Sequence, residues 1–401
     1  MSNSDYILII SPNYPPEQGA CASRMRYMAQ GLSKAGYEVE VLSAMPNYPK
    51  GKIFPKYASY FFYQEYDEKV LVRRLPLYPS NANNLTFRLL SMISLSFSML
   101  FSIFFKRKKK PTIVIVQSPP LLLAFFAYFL SRFYKASFIL NISDLWPRAL
   151  LDLGKIAKNL LYNIAHLIEK FLYRKAKLCI GQSQEILGYI RNFAPQTPTF
   201  LYRTGVDCQL FQPLNAVKER NTPLKIVYAG LLGIAQDILS ICKHLNFEEL
   251  NAELHIFGDG YERERIAKFI ASNPNAGIFL HEAVKQEEIA QILPTFDAML
   301  IAQKAVVLGT VPSKIYEAMA TGLPILFCGG GEGAAIIEQH QLGFISLPND
   351  FDSLKKNILT LTQMTHAEQQ AMSSRSRQLA LQEFDRAKIL ESLLVALRQI
   401  S

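Results

Sequence analysis

The chain of 401 residues carries 43 Lys and Arg against 33 Asp and Glu, for a formal net charge of +10, and is 50% apolar and 19% charged. Domains run about 100 to 200 residues, so this length excludes a single ordinary core, and the apolar content excludes a disordered chain. The five cysteines (Cys21, Cys179, Cys208, Cys242, Cys328) have no paired spacing, which argues against a disulfide framework or a zinc site and for a reducing, cytosolic compartment. No basic start followed by an apolar stretch and a small-residue cleavage site opens the chain, so no secretory signal is expected.

In chain order, short apolar or β-branched runs predict strands over Tyr6–Ile10, Glu38–Leu42, Val70–Arg73, Thr112–Val116, Phe138–Ile142 and Leu178–Ile180, mostly with helical spacing between them. A second series covers Lys225–Ala229, Glu253–Phe257, Ile278–His281, Ala298–Ile301, Pro324–Phe327 and Gly343–Ser346. Pro213 to Pro223 is polar and aperiodic, and reads as a linker. The expected architecture is α/β: two Rossmann-like, doubly wound domains facing an interdomain cleft. Residues 1–212 form the first, 213–223 the linker and 224–380 the second, with a C-terminal helix over 381–401 returning toward the first. Such sheets bind ligands beyond the carboxyl ends of their strands.

Charge divides unevenly between the two series. Through Pro213 there are 26 basic and 12 acidic residues, or +14, leaving 17 against 21, or −4, for the rest. The basic half also holds Leu89 to Phe105, 17 apolar or small residues followed by Lys106-Arg107-Lys108-Lys109-Lys110. That combination favours an anionic membrane surface over nucleic acid. At 100° per residue Ser91, Ser94, Ser98 and Ser102 share one face, so a small side presses on a neighbour and a bulky side enters lipid or a core. Spanning, surface-dipping and buried placements all remain open; the basic run would then sit where phosphate headgroups lie, with a solvated end to a helix as the alternative.

The stretch Gly309 to Pro324 carries the most chemistry. Ser313 suits an N-cap and Gly322 a stop, which brackets a short helix whose unpaired amides, with Ser313 and Lys314, would hold a diphosphate. Glu317, four residues on, could accept hydrogen bonds from sugar hydroxyls, or simply pair with Lys314. Glycines at strand ends form a candidate rim: Gly230 and Gly233, Gly258-Asp259-Gly260, and Gly330 and Gly331. Val284 joins them as a candidate donor-binding position. In the first half, Tyr14 to Gly19 leads into a helix bearing Arg24 and Arg26, which could face phosphate. The dinucleotide fingerprint, the P-loop, the nucleophile elbow and the zincin motif are all missing. Six scattered histidines give a metal centre little support.

Pro312-Ser313-Lys314 with Glu317-Ala318-Met319-Ala320 and Gly322-Leu323-Pro324, Gly205-Val206-Asp207, Gly258-Asp259-Gly260 and Asp144-Leu145-Trp146-Pro147 together resemble the family 4 retaining glycosyltransferases of GT-B fold. Asn13-Tyr14-Pro15-Pro16 through Ser23-Arg24, and the apolar helix before Ser118-Pro119-Pro120, resemble the subgroup that builds bacterial surface polysaccharides, including O-antigen fucosamine-type transferases. The likeness covers nearly the whole chain. It implies that Glu317 binds the nucleotide ribose and that Lys314 replaces a missing basic pair on the diphosphate. Asp144 would position acceptor or donor sugar, unless it caps the following helix. Gly309 stands where the family has its donor-sugar glutamate. The resemblance further implies a nucleotide-sugar donor, a UDP-sugar above all, used as substrate with no cofactor and no metal. The basic, greasy first half suits a lipid anchor and its phosphates, so the expected acceptor is a polyprenyl-diphosphate-linked saccharide at the cytoplasmic face of the inner membrane, where the enzyme would be peripheral or monotopic. Two rivals remain: a hydrolysing UDP-sugar 2-epimerase of the same fold, and a non-catalytic membrane scaffold.

Overall fold

The computed structural model describes residues 5–80, 85–152, 154, 156–214 and 222–400, so 215–221 of the expected linker lie outside the described residues. Two compact units emerge: Met1–Tyr202 with Leu390–Ser401, and Arg203–Ile389. The boundary falls at Tyr202, ahead of the polar Pro213–Pro223 stretch.

Unit 1 runs β1 (Tyr6–Ser11), α1 (Ala20–Lys34), β2 (Glu38–Ala44), β3 (Tyr63–Asp67), β4 (Val70–Leu75), α2 (Leu85–Leu100), β5 (Ile113–Ser118), α3 (Leu121–Tyr134), β6 (Ser137–Ile142), α4 (Arg148–Asp152), α5 (Leu160–Lys175), β7 (Leu178–Gly181), α6 (Gln184–Phe193) and β8 (Thr199–Leu201). The sheet order is β3-β4-β2-β1-β5-β6-β7-β8, and every pairing is parallel except β3 with β4. β1 and β5 are buried along their whole lengths, which is why they read as unbroken apolar runs.

Unit 2 runs β9 (Leu224–Ala229), α7 (Ile238–His244), β10 (Ala252–Phe257), α8 (Arg263–Ser272), β11 (Ile278–His281), α9 (Gln286–Ile292), β12 (Ala298–Ala302), α10 (Lys314–Thr321), β13 (Ile325–Cys328), α11 (Gly331–Gln339), β14 (Gly343–Ser346), α12 (Phe351–Gln363) and α13 (His366–Leu379). A last helix, α14 (Arg386–Arg398), leaves unit 2 and from Leu390 belongs to unit 1, where Lys177 Nζ donates to the Ile400 carbonyl at 2.6 Å. The second sheet, β11-β10-β9-β12-β13-β14, is wholly parallel. Alternate residues of β9 enter different cores, Val227 and Ala229 one and Ile226 and Tyr228 the other, so both faces are covered. Strand order reverses between β1 and β5 in the first sheet and between β9 and β12 in the second. Ligand sites are expected beyond the carboxyl ends at these two points.

Candidate functional site

In unit 2 the loops after β9 and β12 flank the reversal. Gly322 closes α10 in the left-handed region at φ 72°, and the helix buries every residue from Ile315 to Thr321. The expected Ser313 cap is absent: Ser313 occupies the N-cap position, but its side chain accepts no bond from the helix. Fewer amides are open than the sequence implied, because Ile315 N–H donates to the Pro312 carbonyl and Tyr316 N–H to that of Ser313, both at 3.1 Å. Lys314 Nζ donates to Glu317 Oε2 at 2.9 Å and Oε1 at 3.1 Å, with side-chain exposures of 33% and 10%. The carboxylate of this pair is buried and its ammonium a third exposed, so Lys314 is the member an incoming phosphate would reach. The fold also brings Gly230 to Lys314: a Cβ at Gly230 would sit 3.8 Å from Lys314 Cε.

Gly258 and Gly260 act on the neighbouring loop. A Cβ on Gly258 would lie 2.0 Å from the Gly230 carbonyl oxygen, and one on Gly260 2.5 Å from that of Leu232. Leu232 N–H donates to the Asp259 carbonyl at 2.9 Å, and the Asp259 carboxylate accepts from Gly260 N–H at 2.8 Å. These residues set the shape of the Gly230–Gly233 loop by close backbone approach. Gly330 precedes α11, whose Gly331 has φ 65°. Val284 packs, partly buried, on the core beneath α10. Asp207 caps its own turn, accepting from the amides of Gln209 and Leu210 at 2.9 and 3.0 Å.

One constellation here escaped the sequence reading. Buried Glu332, in the first turn of α11, forms an ion pair with Arg203, whose guanidinium lies 5.4 Å over the Phe384 ring. Tyr316 stacks on Phe384 at 5.0 Å, and burial pushes its hydroxyl up to about 12 against the opposing pull of Arg203. The cluster underpins α10. Glu332 falls within the glycine run, but Arg203 is 129 positions earlier and nothing in its local pattern marks it.

In unit 1 a cavity of ≈ 300 Å³ opens beyond β1, β5 and β6, lined by Asn13, Gln117, Ser143 and Asp144 and walled by Arg88, Ser91, Met92 and Leu95 of α2. The β5–β6 register sets Gln117 opposite Asn141, and this builds the polar floor. Arg24 donates to Gln117 Oε1 at 3.4 Å and Asn141 Nδ2 to the same oxygen at 2.7 Å. Gln117 Nε2 donates to Ser143 Oγ at 2.8 Å, and Ser143 donates to Asp144 Oδ2 at 3.0 Å. Donors thus run in one direction from Arg24 to Asp144. Arg24 is 7% exposed with an unpartnered Nε, and burial lowers its pKa. Trp146, the chain's single tryptophan, follows two residues after Asp144 and is half-buried.

Other expectations in this unit are corrected. Arg26 does not accompany Arg24: its guanidinium grips Asp67 on β3 through bonds of 2.9 and 2.8 Å. Gly19 precedes α1 at its N-cap with φ 138°, and the loop before it is pinned by buried Glu17, which accepts from the amides of Asn47 and Tyr48 at 2.9 Å each. Within the basic run Arg107 is no solvated cation, since it pairs with buried Glu40 at 2.7 Å, while Lys106, Lys108, Lys109 and Lys110 stay exposed. The helical stretch Thr86–Phe104 is long and apolar enough to cross a membrane by length and composition. Its inner side buries Leu95, Ser96 and Met99; its outer side exposes Phe87, Leu90, Ile93, Phe97, Phe101 and Phe104.

Comparison with known proteins adds the following. Residues 19–199 match the family described as glycosyl transferase 4-like domain, and residues 225–364 match glycosyl transferases group 1. WcaI of Escherichia coli (strain K12), assigned to colanic acid biosynthesis as a glycosyl transferase, is 24% identical over 333 residues, covering 79% of this chain and 81% of its own. Sucrose-phosphate synthase from Thermosynechococcus elongatus superposes with a TM-score of 0.75 at 14% identity over 99% of each chain. HepE of Anabaena, solved in complex with UDP, superposes with a TM-score of 0.68 at 13% identity, covering 98% of this chain and 99% of its own.

Proposed function

Since the chain belongs to the two-domain glycosyltransferases, a 4-like domain followed by a group 1 domain on a GT-B fold, we propose that it is a retaining enzyme of bacterial polysaccharide biosynthesis, the setting to which its relative WcaI is assigned. It moves a sugar from a UDP-sugar to a polyprenyl-diphosphate-linked saccharide at the cytoplasmic face of the inner membrane. UDP as the nucleotide is supported by the UDP held in HepE. The subgroup reading, transferases of the O-antigen fucosamine type, rests on the Asn13 to Arg24 opening and on the apolar helix before Ser118.

The observation that carries the reading is the meeting of Lys314, Glu317 and the Gly230 loop at the start of α10. Loss of the nucleoside diphosphate concentrates negative charge on the leaving oxygen. A helix start and an ammonium aimed there stabilise the transition state more than the ground state. Glu317, released from Lys314, accepts from ribose hydroxyls. The β-phosphate takes the acceptor proton as the acceptor attacks from the face the diphosphate leaves, so no enzymic nucleophile is required. Asp144, oriented by Ser143 and Gln117, accepts from a sugar hydroxyl in the unit 1 pocket.

A thermal-shift panel of UDP, GDP and dTDP and their sugars tests this. UDP is expected to raise the melting temperature in wild type and much less in Lys314→Ala. No shift with any nucleotide, or a UDP shift indifferent to Lys314→Ala, overturns the donor site.

A further inference from the structure

We propose that unit 1 docks on an anionic bilayer through a face made of three neighbouring helices, α2, α3 and α5, and that α2 lies in the plane of the interface instead of crossing it. The inference rests on the membrane part of the reading above and extends it to two helices the apolar run does not include. α2 packs beside α3 and α3 beside α5, with Phe97 and Phe126 rings 5.2 Å apart and Phe125 and Phe171 rings 6.0 Å apart. Each leaves large apolar side chains exposed: Phe97 in α2 is 53% exposed and Phe101 just past its end 52%, Phe129 49% and Phe133 58% in α3, Leu161 75% and Leu167 65% in α5. Apolar side chains this dense over three neighbouring helices exceed the scatter usual on a soluble surface.

Charge identifies the occupant. α2 and α3 contain no Asp or Glu, and the one acid of α5, Glu169, is buried and accepts from Tyr173 at 2.7 Å. Exposed cations border the face: the four lysines after Phe105, Arg132 and Lys135 at the end of α3, and Lys158 ahead of α5. An apolar plane rimmed by cations matches acyl chains beneath anionic headgroups. It does not match a protein partner, which would need acids against the rim and an apolar centre against the plane. The inner side of α2 decides its orientation. Leu95 and Met99 are buried in unit 1, while Arg88 and Ser91 wall the polar cavity. A crossing would strip cover from the first pair and pull the second away from the cavity they wall. In the interfacial plane both sides are satisfied. A saccharide in that cavity then lies one helix diameter, about 10 Å, from the lipid.

Flotation with phosphatidylethanolamine–phosphatidylglycerol vesicles and with phosphatidylcholine vesicles tests the face, with circular dichroism and UDP thermal shift as checks on folding. Wild type is expected on the anionic vesicles, and Leu161→Glu with Leu167→Glu to weaken that binding at least about tenfold. If wild type floats with neither vesicle, the membrane reading itself falls, while UDP binding remains unaffected. If wild type binds and the α5 variant binds equally well, the three-helix face is wrong and the membrane reading stands. Orientation is read in a Cys21→Ser background with a fluorophore on Phe97→Cys, Phe133→Cys or Leu167→Cys. Shallow-brominated lipids should quench all three more than deep-brominated ones. Stronger deep quenching at position 97 would mean a crossing helix and overturn the planar orientation.

Discussion

At the carboxyl end of the first sheet the candidate site is built from side chains that hold one another, and at that of the second from backbone packed too closely to admit side chains. In unit 1 donors pass in sequence from Arg24 through Gln117 and Ser143 to Asp144 across two adjacent strands. In unit 2 Gly258 and Gly260 let two loops touch, leaving one ammonium and one carboxylate at the helix start. The contrast separates two kinds of recognition. Fixed side-chain donors and acceptors discriminate between hydroxyl patterns, because a wrong partner leaves a buried group unpaired. Backbone and a helix start respond to charge, which suits a diphosphate whatever sugar it carries.

Breaking the backbone side of the contrast should produce the largest effect. Gly258→Ala drives a methyl to 2.0 Å from the Gly230 carbonyl, and is expected to cost about 1–3 kcal/mol in denaturant unfolding of unit 2. Next, Lys314→Ala and Glu317→Ala should each lower donor turnover at least about tenfold, or ~1.4 kcal/mol in kcat/KM, with the fold retained. Near-normal rates in either variant would remove that residue from the site. On the side-chain end, Gln117→Leu breaks the series at its middle and is expected to raise the acceptor KM about fivefold, or ~1 kcal/mol, leaving UDP affinity unchanged. A parallel loss of UDP affinity would show that the two sites are not so distinct. Gly188→Ala is a control of opposite sign: it lies in α6 with nothing within 4 Å of the new methyl, and should raise unit 1 stability by roughly 0.4–1 kcal/mol.

The smallest effect concerns pH. His281 faces His255 across β10 and β11, Nε2 to Nδ1 at 3.0 Å, and burial first, then the neighbouring imidazole, lowers its pKa. The unfolded chain therefore binds a proton more readily, and stability is lost as pH falls below the ordinary histidine value. The denaturant midpoint should drop between pH 7.5 and 5.5, and by less in His281→Gln; equal drops would clear this histidine of the effect.

How far the sequence could be read follows from the same physics. Buried parallel strands write themselves as continuous apolar runs, so β1, β5 and β9 were legible within a residue or two. β3 was not: Tyr63-Gln-Glu-Tyr-Asp67 is an antiparallel edge with half-exposed alternation, which resembles a polar loop. Lys314 and Glu317 could be singled out as candidates because a short helix bracketed by Ser313 and Gly322 is a local pattern. Gln117 and Asn141 were missed because strand register alone makes them neighbours. Arg107 was read with the rest of its basic run as a headgroup-facing or solvated cation, since its partner Glu40 sits inside β2, 67 positions away. The leucines of α5 follow helical spacing that looks the same for a core stripe and for a docking stripe, and only exposure separates them.

The placement of Trp146 gives the molecule a built-in optical reporter. Because no other indole exists in the chain, emission excited at the red edge arises wholly beside Asp144. Colour shifts and quenching therefore sample that neighbourhood directly, without extrinsic dye.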